Sequence, residues 1–293
     1  MGTTVTTGTI PFKGYETWYQ RVTPDAAGDK APLLTFHGGP GACHNYLKSL
    51  DGIAEQHGRE VIYYDQLGCG NSPTDERPDL WCIDTYVQEV DVVREALRLD
   101  RVHLLGQSWG GMLAQEYALT QPDGVLSMVV ASSLASIPLW QAEAVRLIKL
   151  MAPEQRDVLL RALDTGDFTG EAFEAATKEY VRRHEIELEV WPDYVEQSFS
   201  HMSPVYPHMW GPEEFVCTGT LADWDITDRI GAIKIPTLVT TGVQDEATPY
   251  IAQAIAHNIP GARLELIPGT HLCHVEHPAE YNALVDAFLG QHD

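Results

Sequence analysis

Six short runs of β-branched and aliphatic residues recur along the chain: "PLLTF" (32–36), "EVIYY" (60–64), "RVHLLG" (101–106), "LSMVVA" (126–131), "TLVTTG" (237–242) and "RLELI" (263–267). Helical patterns separate them, and strands alternating with helices read as a parallel sheet with crossover connections. One such helix is expected between Asp84 and Leu99, where Tyr86, Val87, Val90, Val93 and Leu97 fall on one face behind Asp84 as N-cap. Thr4–Ile10 and Tyr15–Val22 alternate around Lys13-Gly14 and predict an antiparallel hairpin at the sheet edge. The fold class is therefore α/β. At 293 residues the chain suits one large unit better than several small ones.

From about Leu134 to Arg229 the character changes to helical, acidic segments without a buried strand, punctuated by "WPDY" (191–194) and "SPVYPHMWGPEEF" (203–215). This predicts a core made of residues 1–133 and 230–293, interrupted by a helical lid over 134–229.

"GQSWG" (106–110) follows a buried-looking strand and precedes the helical "WGGMLAQEYALTQ". A strand-to-helix turn that tight lifts Ser108 into the open and aims helix N–H groups at it. Serine is a weak nucleophile without a base and an acid to orient that base, and on such a sheet these follow past the ends of later strands. "TLVTTGVQDEATP" supplies Asp245, with Glu246 beside it offering the same group, and "RLELIPGTHLCH" supplies His271. His274 competes with His271 but lies farther from its strand, and His277-Pro278 reads as the entrance of the last helix. The three-residue spacing of these histidines could suggest a metal, but no H-E-x-x-H or C-x-x-C accompanies it, and neither metal nor organic cofactor is expected. "HGGPG" (37–41) offers backbone N–H groups opposite the serine turn, so Gly39 and Trp109 are the expected oxyanion donors.

The formal net charge of −23 argues against a nucleic-acid partner and would steer a cationic small molecule more favourably. Five scattered cysteines without a C-x-x-C pair predict free thiols and a cytoplasmic protein. No apolar run approaches the ~18 residues of a membrane span, and the Thr-rich start lacks a leader pattern, so no membrane partner is expected. Oligomeric state is not legible.

Together "HGGPG", "DQLGCGNS" (65–72), "GQSWGG" (106–111), "GTLADWDITDRI" (219–230), "GVQDEATP" (242–249) and "GTHLCHVEHP" (269–278) resemble the prolyl aminopeptidases, or proline iminopeptidases, of the α/β-hydrolase fold. The resemblance implies a serine peptidase acting on a small peptide or amino acid amide, with Ser108, Asp245 and His271 as triad and Gly39 and Trp109 as oxyanion donors. It also implies carboxylates for the substrate's free amine: Glu246 in the core and, in the cap, Glu214 or its neighbour Glu213. A cationic amine leaving water needs such a counter-charge. Trp191, Tyr206 and Trp210 could wall the pocket or fill the cap's own core. Many members carry Arg where this chain has Leu67, a departure that bears on the preference for proline. An amidase or esterase with no need for proline or a free amine is the alternative reading.

Overall fold

The structure is a computed structural model that describes every residue except Met1, Ala27 and His201. The hairpin forms as β1 (Thr3–Phe12) and β2 (Tyr15–Pro24). The chain continues through β3 (Leu33–Phe36), α1 (Asp51–His57), β4 (Val61–Tyr64), α2 (Ile83–Ala96), β5 (Val102–Gln107), α3 (Trp109–Leu119) and β6 (Val125–Ala131). After five further α-helices and a short 3-10 helix (Ile230–Ala232) come β7 (Thr237–Gly242), α9 (Pro249–Asn258), β8 (Arg263–Ile267), the short α10 (Cys273–Glu276) and α11 (Pro278–Leu289).

The eight strands make one sheet in the order β1-β2-β4-β3-β5-β6-β7-β8. β1 and β2 pair antiparallel, β2 joins β4 antiparallel, and every later pairing is parallel. β3, β4, β5 and β7 are buried along their whole length because helices cover both faces, which is why they read as continuous apolar runs. Strand alternation sorts their side chains into two layers. Leu34, Phe36, Leu104, Val130 and Val239 face one core, whereas Leu33, Leu105, Val129 and Leu238 face the other.

The expected helix after Asp84 is α2, but Asp84 is not its cap. Extended Cys82 (φ −150°, ψ 159°) occupies that position and Asp84 sits within the first turn. There its charge still favours the helix N-terminus, so the local signal was real and its register was off by two residues.

Between β6 and β7 lie α4 (Ile137–Lys149), α5 (Pro153–Thr165), α6 (Glu171–His184), α7 (Asp193–Phe199) and α8 (Val205–Met209). α4 to α6 build a small core of their own around Leu147, Ile148, Leu159, Phe173 and Tyr180, joined by Phe215. Val205, Met209, Trp210, Leu221 and Ile226 instead join the main core, tying the far end of this insertion to the sheet.

Candidate active site

β5 ends at Gln107, and Ser108 turns the chain directly into α3 with φ 57° and ψ −126°. A non-glycine residue held there stores roughly 1–3 kcal/mol of strain. Hydrogen bonds offset it: the Ser108 N–H donates to the Ala131 carbonyl (3.0 Å), and the Ser108 carbonyl accepts from Gly111 N–H (2.8 Å) and Ser133 Oγ (2.7 Å). The flanking glycines are sterically required. A Cβ on Gly106 would lie 2.0 Å from the Gly110 carbonyl oxygen, and one on Gly110 would lie 2.0 Å from that of Phe36.

Asp245 and His271 arrive from the loops after β7 and β8. His271 Nδ1 lies 2.8 Å from Asp245 Oδ1. Three further donors hold that carboxylate: Ala247 N–H on Oδ1 (2.7 Å), and Thr241 Oγ1 (2.9 Å) and Gly242 N–H (3.3 Å) on Oδ2. Burial pulls the His271 pKa down, but Asp245, Glu214 and Glu185 outweigh it and the net shift is upward. The imidazole therefore accepts a proton more readily than an ordinary buried histidine would.

The "HGGPG" loop is fixed by the "DQ" of "DQLGCGNS". Gln66 Nε2 donates to the His37 carbonyl (2.9 Å), its Oε1 accepts from Trp109 Nε1 (2.8 Å), and its N–H donates to His37 Nε2 (3.0 Å). Asp65 Oδ1 accepts from the His44 N–H and Oδ2 from the Asn71 N–H, both at 2.8 Å. Tyr46 Oη accepts the Gly38 N–H (2.7 Å) and donates to Gln107 Oε1 (2.5 Å). Gly39, at φ 108°, borders the same cavity as Ser108. Trp109 is the first residue of α3, where helix geometry leaves its N–H without an intrahelical partner.

That cavity encloses about 290 Å³ between the sheet and the insertion. Ser108 and His271 open onto it, Val181, Ile186, Trp191, Phe199, Met202 and Phe215 give it an apolar wall, and four carboxylates line it: Glu185, Glu213, Glu214 and Glu246. Among the described residues lining it there is no Lys or Arg. Burial drives the Glu185 pKa up to about 8, with Glu214 adding to the shift, and Glu213 up to about 7. Burial likewise raises Glu214, whose Oε2 accepts from Tyr206 Oη at 2.8 Å. Glu246 is raised well above the usual range by burial and by Glu185 and Glu214, and both its oxygens are buried without a hydrogen-bond partner. The Tyr180 hydroxyl stands beside it and acts on its titration, lowering Glu246 against the burial.

The insertion is stitched to both loops that carry Asp245 and His271. The carbonyl of His184, at the end of α6, accepts the N–H of His271 (2.9 Å) and of Glu246 (3.3 Å), and the Glu185 carbonyl accepts that of Leu272 (2.9 Å). Glu276 adds a clamp, taking the Glu187 N–H (2.7 Å) on one oxygen and the Thr270 N–H (2.8 Å) on the other.

Of the aromatic residues left open between pocket wall and cap core, Trp191 and Tyr206 line the pocket. Trp210 does not: it is buried in the main core, edge-on to Trp140 with ring centroids 5.7 Å apart. His274 faces Ser49 Oγ (2.7 Å), and burial drops its pKa to about 3, so it stays neutral. His277 caps α11. Among the described residues no group of histidine, cysteine or carboxylate side chains is arranged to hold a metal ion. No helix among them is long and apolar enough to cross a membrane.

With this geometry in view, the comparisons with known proteins are specific. The family model for the alpha/beta hydrolase fold matches residues 31–278. Proline iminopeptidases of Lactobacillus helveticus and Lactobacillus delbrueckii subsp. bulgaricus are 40% and 42% identical, covering 98% and 97% of both chains respectively. The crystal structure of the Mycobacterium smegmatis proline iminopeptidase superposes with a TM-score of 0.93 at 41% identity, covering 98% of each chain.

This chain belongs to the proline iminopeptidase family. It is a serine hydrolase with the α/β-hydrolase fold, as its motifs imply. Against the family pattern, the Leu67 departure lies away from the cavity: its side chain is fully buried in the main core, and its N–H is held at 3.1 Å by the carboxylate of Glu89. The residue that sequence reading missed is Glu185. In "RRHEIELEV" it reads as one of several charges on a solvated helix end, and only the docking of α6 onto the two loops turns it inward.

Proposed function

We propose that the protein is an aminopeptidase that releases an N-terminal residue, proline or another small or apolar amino acid, from short peptides, amides or arylamides. In this reading residues 134–229 form a cap over the catalytic serine. His271 Nε2 takes the Ser108 Oγ proton as the hydroxyl attacks the scissile carbonyl, and Asp245 holds the imidazole and stabilises its charged form. Backbone N–H groups of Gly39 and Trp109 stabilise the tetrahedral oxyanion. His271 then protonates the departing amine, and water attacks the acyl-enzyme by the same route in reverse.

The observation that carries this reading is the cavity's polarity: an apolar wall with carboxylates at its side and no cationic side chain among the described lining residues. A carboxylate stripped of water must neutralise or meet a cation. A free α-ammonium is the cation that a substrate with its first carbonyl at Ser108 would bring, and Glu214 and Glu246, with Glu213 at the edge, are its partners. Wild-type protein should react with a fluorophosphonate probe at Ser108 and release single N-terminal residues from di- and tripeptides. Release of internal fragments, or a Ser108→Ala protein that keeps wild-type turnover, would refute the scheme.

A further inference from the structure

Glu246 is almost wholly buried, its two oxygens lack partners, and it lines the cavity that exposes Ser108. Glu214 faces the same cavity but already accepts the Tyr206 hydroxyl. A third carboxylate, Glu185, stands between the catalytic loops. Its own carbonyl binds the Leu272 N–H, and the preceding carbonyl of His184 binds those of His271 and Glu246. It interacts electrostatically with both Glu214 and Glu246, and with Glu214 it acts on His271. Glu213 is placed differently: it also lines a neighbouring groove that includes Lys178 and Glu174.

Counting donors gives this arrangement a chemical meaning. A primary α-ammonium carries three N–H groups, as a lysine side chain does, whereas the protonated ring nitrogen of an N-terminal proline carries two. Two carboxylates suffice for proline. With Glu185 beside Glu214 and Glu246 on the wall of one cavity, a primary ammonium can direct one charge-assisted hydrogen bond to each of these three. We infer that Glu185 is a third substrate-binding carboxylate and that it adapts the site to N-terminal residues with a primary amine, not to proline alone. The inference rests on the aminopeptidase reading above and extends it to the class of residue accepted.

The test compares alanyl-, N-methylalanyl- and prolyl-p-nitroanilide, since N-methylation removes one N–H from alanine while keeping its charge. Wild-type kcat/KM should favour alanyl over N-methylalanyl by about tenfold, the worth of one charge-assisted hydrogen bond. Glu185→Gln should remove that preference by raising KM for the alanyl substrate alone, while the loss of its charge beside His271 shifts kcat by one common factor on all three substrates. Glu174→Gln, in the neighbouring groove only, should leave the preference intact. Equal wild-type activity on alanyl and N-methylalanyl substrates would overturn the inference without any variant being needed. So would a Glu185→Gln effect on KM that is absent or equal on all three. If Glu214→Gln and Glu246→Gln also leave KM unchanged throughout, it is the aminopeptidase reading itself that fails, and the two failures are thereby told apart.

Discussion

Asp245 and Glu246 are neighbours in sequence, each 1% exposed, and their surroundings are opposite. Asp245 receives four donors: the His271 ring, the Thr241 hydroxyl and two backbone N–H groups. Among the described residues Glu246 has only the Tyr180 hydroxyl beside it and no backbone N–H. A buried carboxylate that is fully bonded has its geometry fixed and can orient a base. One left bare is unstable as an ion, and a cation entering beside it gains what solvent no longer supplies. On the proposed function the contrast separates two parts of the site: a saturated carboxylate that orients the base, and a sparsely bonded one that would receive the substrate's amine.

The largest break in this comparison is Asp245→Asn, which keeps the shape but disturbs the His271 tautomer. Its kcat should fall about 10⁴-fold with KM little changed, as measured by steady-state turnover of a free-amine arylamide. Glu246→Gln on the same substrate should do the reverse, raising KM about 10- to 100-fold and sparing kcat. If both variants lost kcat alike, the division between the two neighbours would be wrong.

Stability should divide them as well. Asp245→Asn turns a donating amide NH2 toward groups that already donate and lowers the melting temperature, whereas Glu246→Gln removes a buried acid and raises it at neutral pH. The smallest effect is the pH dependence. Glu185 and Glu213 are raised from an ordinary 4.5 to about 8 and about 7, and Glu246 is also raised. Groups raised in the folded state favour folding fully below the unfolded pKa and lose that contribution as pH climbs through the folded value. Melting temperature should therefore carry a downward component between about pH 5 and pH 8, and that component should flatten in Glu246→Gln. A steeper decline in the variant would contradict the assignment.

What could be read from the sequence follows from the range of the interactions involved. The inner strands announced themselves because both sheet faces are covered there, the edge hairpin by its alternation, and Ser108, Asp245 and His271 were singled out by their position just past strand ends. The hydrogen-bonded bridge from Gln66 to Trp109 and His37 explains why "HGGPG" and "DQLGCGNS" occur together, although neither motif alone reveals it. Local spacing could not say that Trp210 turns into the main core while Trp191 faces the cavity, because that depends on how the insertion docks. The same docking hid Glu185. A signal was present in the alternation of Glu185, Ile186, Glu187 and Leu188, which places acids around apolar residues in need of a partner surface, but the surface itself comes from loops far along the chain.

The central claim is the proposal that the cavity's carboxylates bind a free amine. It is tested most directly by kcat/KM for alanyl- and prolyl-p-nitroanilide beside their N-acetylated twins. Acetylation removes the positive charge and leaves the scissile bond untouched. The account predicts activity on the free amines and a loss of at least about 100-fold on the acetylated pair, since both the charge and its hydrogen bonds go. Equal rates on free and acetylated substrates would contradict it and would make this member of the family a general amidase.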